Sequence, residues 1–434
     1  MRSTFIACTI LAITLAVPLA TRAADRPNIV LIMADDLGFE ALGCYGGETF
    51  KTPHIDSLAS AGVQFDRCYA TPLCSPTRVQ LMTGRYPFRT GWINLIGRGS
   101  APLSFFDPAK ERTFGHLLQQ AGYKTAVAGK WQLADLSQHP DHIKDCGFDE
   151  YCCWTWIYKG ESTSRYWNPT ILQNGKLRED LFQQRYGPDV YNEFVIDFIT
   201  RHREEPFFVY YPMALPHNPP HRTPDNAETD RHRDGRRFGT PEEFPGLVEY
   251  MDKLVGRIVT AIDRLKLRDK TLILFTTDNG THKNYVAEIA GVKVRGGKGK
   301  VNEAGSHVPL IASWNGVTAA KSRCDDLIDF SDFLPTLVEL SGAKLPSDRL
   351  IDGHSFVQQL YGKSADARDW VYVQFENKWF VRGPRWKLHH DGRFFDMQRD
   401  PFELRASIAE NDRTREMLNA GRRLQTVVDQ LHKP

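Results

Sequence analysis

Apolar and polar positions along this chain alternate between short hydrophobic runs and longer stretches with helical spacing. The runs at residues 28–33, 125–128, 206–211, 271–276 and 308–314 are mostly rich in Val, Ile, Phe or Tyr, as strands buried on both faces of a sheet are. Between them, residues 55–61, 113–121, 190–203, 241–265 and 331–341 read as helices. This alternation predicts an α/β fold with a large, mainly parallel sheet sandwiched by helices. Beyond about residue 365 the pattern changes. Short runs near 371–375, 379–382, 386–389 and 394–396 predict a small antiparallel sheet, and residues 415–431 a final helix packed on it. The chain therefore divides into a large domain over 24–364 and a small C-terminal α+β subdomain over 365–434.

The first residues stand apart from that pattern. Arg2, an apolar stretch from Phe5 to Leu19 and small residues around Ala20 to Ala24 have the layout of a secretory signal peptide spanning 1–23. The stretch is short for a membrane span. The expected product is an exported protein, periplasmic or secreted, with no membrane association after signal removal. Composition excludes another class: a formal net charge of +2 over 434 residues offers no basic excess for nucleic acid. Cys8 leaves with the signal, so seven of the eight cysteines remain. A chain of this length needs no disulfide staples, and no pairing is assigned.

The polar residues that follow the predicted strands change the picture most. Asp35 and Asp36 follow the first run, Lys130 the second, His217 the third, and Asp278 and Asn279 the fourth. Ligands of open α/β sheets bind beyond the carboxyl ends of the strands, so four distant segments can line one cleft. Taken singly, Asp-Asp or Asp-Asn-Gly also serves as a turn or a helix cap. Together, three carboxylates and an amide are a set of hard oxygen donors, suited to Ca²⁺ or Mg²⁺ and poorly suited to zinc. A second feature is Cys74-Ser75-Pro76-Thr77-Arg78. Pro76 fits the first turn of a helix that Gly84 stops, which places the Cys74 thiol at a helix N-terminus, where anions and thiolates are favoured. A buried structural cysteine is the alternative reading of Cys74 alone.

Cys74-x-Pro76-x-Arg78 followed by Thr83-Gly84-Arg85 resembles the signature of the type I sulfatases, members of the alkaline phosphatase superfamily. The resemblance runs from Pro27 to about Glu403 and implies the alkaline phosphatase-like fold. In that family the cysteine is oxidised to formylglycine by a formylglycine-generating enzyme, and the hydrated aldehyde attacks the sulfate ester. The resemblance thus makes Cys74 the nucleophile precursor and Arg78 its partner. It makes Asp35, Asp36, Asp278 and Asn279 the ligands of a divalent metal, Ca²⁺ with Mg²⁺ as the alternative, with an oxygen of the converted Cys74 joining them. Gly129-Lys130-Trp131 is similar to the family's sulfate-binding lysine element. Pro216-His217-Asn218-Pro219 is similar to the element whose histidine protonates the leaving alcohol. Arg295-Gly296-Gly297-Lys298-Gly299 matches the second sulfate-binding lysine, whereas Lys300 reads as a solvated charge. His221 reads as a surface histidine, with a substrate contact as the alternative.

Two positions depart from the family pattern. His307 stands where the family commonly has a structural arginine. Gln132 stands where the family has a histidine, the proposed base for releasing sulfate from the enzyme. An amide has no basic site near neutral pH, so either release of sulfate is slow or another group such as Asp278, a lysine or a water replaces the base; a substitute base with a changed pocket is the favoured expectation. The aromatic stretch from Cys152 to Trp167 and the His- and Arg-rich stretch from Asn218 to Phe244 are candidate pocket walls, with core packing an equal explanation of the aromatics. Aromatic faces suit sugar rings and basic groups suit further sulfates, so the expected substrate is a sulfated carbohydrate, with aryl sulfates as surrogates. Alternatives are a phosphodiester or phosphonate hydrolase of the same superfamily, and a non-catalytic exported carbohydrate-binding homologue.

Overall fold

The computed structural model describes residues 26–98, 105–181, 185–226, 239–363 and 367–433. The expected signal peptide, and residues 227–238 of the expected second pocket wall, lie outside the described residues. In chain order the strands are β1 (Asn28–Ala34), β2 (Val63–Tyr69), β3 (Lys124–Lys130), β4 (Glu150–Trp154), β5 (Ile157–Tyr158), β6 (Glu161–Ser162), β7 (Ile171–Gln173), β8 (Lys176–Leu177) and β9 (Phe207–Pro212). They continue with β10 (Thr271–Thr277), β11 (Val286–Ile289), β12 (Val292–Arg295), β13 (His307–Ser313), β14 (Ser322–Asp329), β15 (Val371–Phe375), β16 (Lys378–Arg382), β17 (Trp386–His389) and β18 (Phe394–Asp396).

Ten of these form the main sheet, in the order β14-β2-β13-β10-β1-β9-β3-β4-β7-β8. Strands β10, β1, β9, β3 and β4 form a parallel block, and only β7 and β13 run against the prevailing direction. The fold is the expected large, mainly parallel sheet, with one of the five predicted strands, β13, reversed. Every residue of β1 is buried, and its side chains alternate between two cores. Val30 and Ile32 pack with the helices Pro53–Ser60, Gly187–Arg201 and Phe244–Arg264. Ile29, Leu31 and Met33 pack on the other face with the helices Cys74–Thr83, Phe114–Gln120 and Phe333–Ser341. A strand with helices on both faces has no polar side, which is why its sequence is a continuous apolar run.

The antiparallel sheet β15-β16-β17-β18 and the helix Arg415–Leu431 form the small C-terminal unit. That helix buries Ala420, Leu424 and Val428, a four-residue repeat that lays one stripe on the sheet. Two buried ionic seams join the unit to the main body. Lys387 on β17 donates to Glu303 at 3.0 Å and to Glu403 at 2.7 Å, which holds the segment just after Lys298. Arg368 donates to both carboxylate oxygens of Asp332, at 2.6 to 2.8 Å, and to the Asp352 carbonyl. Removing one member of such a pair strands the other charge in the interior. Arg368→Met is therefore expected to destabilise the protein by about 3–5 kcal/mol, measured by urea unfolding. A loss comparable to that of a surface arginine would show that the seam carries no stability.

Candidate active site

Sheet register builds the site. Ala34 pairs with Thr277, so the residues that follow each strand, Asp35 and Asp36 on one side and Asp278 and Asn279 on the other, emerge side by side. The backbone N–H of Asp278 donates to the Ala34 carbonyl at 3.0 Å, and that of Asp36 donates to Asp278 Oδ1 at 3.1 Å. Asp36 reaches this position with φ 66°, in the left-handed region that aspartate tolerates better than most residues. All four side chains are fully buried.

Cys74 opens the helix Cys74–Thr83, which follows β2 on the same edge of the sheet. Gly84, at φ 67°, closes the helix by donating to the Gln80 carbonyl. Every residue of the helix is buried, including Arg78 one turn after the thiol. The Arg78 guanidinium donates to Asp278 Oδ2 at 2.7 Å and to the Lys130 carbonyl. Burial opposes its charge, but the surrounding acidic groups, Asp278 first among them, together outweigh that and hold the guanidinium above the ordinary arginine value. The thiol adds to the field on both Arg78 and Lys298. The loop bearing Lys298 is tied to the loop before Cys74 by a bond from Gly299 N–H to the Pro72 carbonyl, 2.7 Å.

Both lysines face carboxylates. Lys130 Nζ donates to the two oxygens of Asp35 at 2.8 and 2.7 Å. Lys298 Nζ donates to Asp36 Oδ2 at 2.6 Å and lies 3.1 Å from His217 Nε2. Burial works against the Lys298 charge, and Asp36 together with the other acidic groups around it overcomes that, so the ammonium is held above its usual range. Burial raises the Asp35 carboxyl, and nearby Asp278 adds to the rise against the pull of Lys130 and Arg78. His217 is held well below the usual histidine range, first by burial and then by Lys130, Lys298 and Arg165.

The structure thus joins Asp35, Asp36, Arg78, Lys130, His217, Asp278, Asn279 and Lys298 in one constellation, with Cys74 at the start of the helix that carries Arg78. Lys300 is exposed, as expected. His221 is not a surface residue: it is buried, its ring 5.8 Å from that of Tyr166, because the proline-rich loop folds inward against the aromatic stretch. His307 is structural, stacked between Phe39 and Tyr69 with Nε2 bonded to the Asp66 carbonyl. Gln132 sits at φ 59°, and its Oε1 is buried with no hydrogen-bond partner. Of the aromatic stretch, Tyr166 bonds the His217 carbonyl, while Trp154, Tyr166 and Trp167 are buried in one hydrophobic core, and Cys152 and Cys153 are inner sheet residues of β4, one in each core. All seven cysteines of the described residues are free.

Two neighbours of the site were not legible in the sequence. Arg165 donates to His217 Nδ1 at 2.5 Å. Glu40, buried after the Asp35-Asp36 turn, accepts from Thr281 Oγ1 at 2.6 Å, and that hydroxyl in turn accepts from Gly38 N–H. This link braces the two acidic loops against each other.

The chemistry of the donors fits a hard divalent cation. Asn279 spends its amide N–H groups on Asp36 Oδ1 and its own chain's Gly280 carbonyl, leaving Oδ1 buried with no partner among three carboxylates. A buried acceptor without a donor calls for a partner, and a cation supplies one. Asp35, Asp36 and His217 also present ligand atoms within 4.8 Å of one another. A hard divalent cation prefers oxygen to an imidazole nitrogen, so the oxygen set is the better fit.

The profile of the sulfatase family matches residues 27–343. The chain belongs to the sulfatase family. Among its relatives, the steryl-sulfatase of Homo sapiens is 32% identical, over 79% of this chain and 71% of that protein. The N-acetylgalactosamine-6-sulfatase of Canis lupus familiaris is 30% identical, over 85% and 73% respectively. Among solved structures, Ps i-CgsB in complex with k-i-k-neocarrahexaose superposes with a TM-score of 0.74 at 26% identity, covering 92% of each chain. This sulfatase is accordingly a sulfuric ester hydrolase. Family members generally work with a formylglycine and a divalent metal.

Proposed function

We propose that this sulfatase hydrolyses sulfate esters of a carbohydrate through a formylglycine formed from Cys74 and a divalent metal held by Asp35, Asp36, Asp278 and Asn279. The observation that carries the reading is the charge arrangement. Three buried carboxylates are matched by three cations, Arg78, Lys130 and Lys298, all paired directly with them. A divalent cation added to that balanced set leaves a surplus of positive charge, which suits an anionic sulfate ester at the thiol-bearing helix N-terminus. The metal supplies Lewis-acid stabilisation of charge on the sulfuryl oxygens. Converted and hydrated, position 74 supplies the hydroxyl nucleophile.

The chain's own residues do the rest. Lys130 and Lys298 bind sulfate oxygens, and Arg78 steadies the nucleophile and the Asp278 carboxylate beside it. His217 stands over the leaving oxygen as its hydrogen-bond donor. A sulfated sugar is favoured by the aromatic and cationic wall of Trp154, Arg165 and Tyr166, with the Arg165 guanidinium 4.7 Å from the Trp154 ring. The saccharide complex and the N-acetylgalactosamine-6-sulfatase among its relatives point the same way. Residues 1–23 act as an export signal, a formylglycine-generating enzyme matures the chain, and 24–364 and 365–434 are its catalytic and C-terminal parts. Among the described residues no helix is long and apolar enough to cross a membrane. The test is a panel of an aryl sulfate, sulfated mono- and oligosaccharides, and phosphodiester and phosphonate esters. Turnover is expected on the sulfates and highest on a sugar; preferential turnover of a phosphorus ester would overturn the reading.

Gln132 makes this site unlike its family pattern, and the consequence is kinetic. General-base help is worth roughly 10²–10⁴-fold, so an uncompensated amide here makes release of sulfate from the enzyme slow. Where that step limits turnover, an aryl sulfate gives a burst of phenol and Gln132→His, which the positive φ tolerates, raises the steady-state rate; where a substitute base such as Asp278, a lysine or a water acts, no burst appears. Rates and burst unchanged in both Gln132→His and Gln132→Ala would remove this residue from the chemistry.

A further inference from the structure

The contact between Arg165 and His217 has no counterpart among the sequence-predicted roles. Arg165 lies on the turn after the β5-β6 hairpin, its guanidinium packed 4.7 Å from the ring of Trp154 and 5.8 Å from that of Tyr166. Trp154 is itself anchored by its indole N–H on Thr163 Oγ1 at 2.7 Å. Tyr166 is anchored by its hydroxyl on the His217 and Ala214 carbonyls, at 2.6 and 3.2 Å. The arginine is therefore held by two anchored rings, one of which, Tyr166, braces the His217 loop, and its N–H meets His217 Nδ1 at 2.5 Å.

A guanidinium has donors only. The Lys298 ammonium near Nε2 is likewise a donor only, and the neutral ring has one lone pair. The shorter contact, from Arg165 at 2.5 Å against 3.1 Å, claims it at Nδ1, because Lys298 already has Asp36 at 2.6 Å. This puts the single proton of the ring on Nε2. That nitrogen faces the reaction centre: it lies 3.1 Å from Lys298 Nζ and 3.5 Å from Asp36 Oδ2. Lys298 is bonded to the same Asp36 oxygen at 2.6 Å, so the Nε2–H and the ammonium share one acceptor. Without Arg165 the ring is free to turn over or to carry its proton on Nδ1, presenting a bare lone pair to the leaving oxygen.

From this geometry we infer that Arg165 is a positioning residue of the sulfatase reaction: it fixes the His217 ring with Nε2–H aimed at the leaving-group oxygen. The inference rests on the reading of His217 given above. It acts on how strongly the rate depends on the leaving group, because an acidic phenol departs without a donor and a basic one does not.

The test uses the matured enzyme with 4-nitrophenyl, phenyl and 4-methoxyphenyl sulfate. Arg165→Gln is expected to lower kcat/KM at most about 3-fold on the nitrophenyl ester and roughly 10²-fold on the methoxyphenyl ester, the scale of lost proton transfer. His217→Ala should give the same steepened dependence. In the double variant Arg165→Gln should add almost nothing on the methoxyphenyl ester, since both act through one ring. Arg165→Lys, which keeps charge and loses the stacked fork, should fall between wild type and Arg165→Gln. A steep His217→Ala with an unchanged Arg165→Gln, or additive losses in the double variant, overturns the inference alone. An unchanged leaving-group dependence in His217→Ala overturns the role of His217 and the inference with it. Equal losses on all three esters mark Arg165 as merely structural and also overturn it.

Discussion

Cys74→Ala abolishes sulfate-ester hydrolysis, by on the order of 10⁵-fold or more, while the protein keeps its fold. The expectation follows from where the thiol sits. It is buried at the first position of a helix whose remaining residues are fixed in the core, and Arg78 one turn on is tied to Asp278 and the Lys130 carbonyl independently of the sulfur. Deleting one sulfur atom leaves those bonds intact, so the thermal midpoint should hardly move. The chemistry is lost because neither an alanine nor an unmodified thiol provides the hydroxyl nucleophile. The same loss is expected of wild-type chain produced without the maturing enzyme. Mass spectrometry of the tryptic peptide 68–78 separates the cases: active protein carries an aldehyde at position 74, in which CHO replaces CH₂SH. Full activity in a preparation whose peptide holds only the thiol would refute the assignment of Cys74.

Much of this was legible in the sequence because the centre of the sheet is so one-sided in its demands. Strands β1, β9 and β10 are buried on both faces and are apolar along most of their length, and the charged and amide residues that follow their carboxyl ends stand out by contrast. The C-terminal sheet was equally legible, since its strands are short and bounded by turns. Strand β14 was not. It lies at the edge of the sheet, where Asp325, Asp326 and Arg323 meet solvent, and its charged sequence reads as a loop. Its neighbour β2 carries Asp66 and Arg67, which pair outward with Arg323 and Asp325, so β2 was masked too. The reversed direction of β13 leaves no mark on composition. Arg165 and Glu40 could not be read because their partners, His217 and Thr281, lie 52 and 241 residues away along the chain. Only the closing of the sheet brings them together.

Chelation is expected to remove activity by more than about 10³-fold, a scale below that of losing a catalytic group outright, and added Ca²⁺ or Mg²⁺ to restore it. Three carboxylates packed at one sheet edge repel one another, and burial has already raised the Asp35 carboxyl. A cation that binds only the folded chain relieves this and stabilises it, by about 2.7 kcal/mol at a concentration one hundred times its Kd. The thermal midpoint should therefore rise with metal concentration, a readout independent of turnover. The choice of variant matters. Asp278→Ala removes a candidate ligand but also strands the buried Arg78, whose closest carboxylate it is, so lost activity there has two causes. Asn279→Ala avoids that. It deletes the orphaned Oδ1 and leaves all three ion pairs of the site in place, at the cost of two hydrogen bonds, to Asp36 and to the Gly280 carbonyl. In Asn279→Ala the metal concentration giving half-maximal activity should increase at least about 10–100-fold, the effect typical of losing even an indirect partner of a metal site. Saturating metal should recover part of the rate, and the midpoint of the metal-induced thermal shift should move by the same factor as the activity. Metal-free protein with wild-type turnover, or an Asn279→Ala variant whose metal dependence matches the parent in both readouts, would show that these four residues hold no metal.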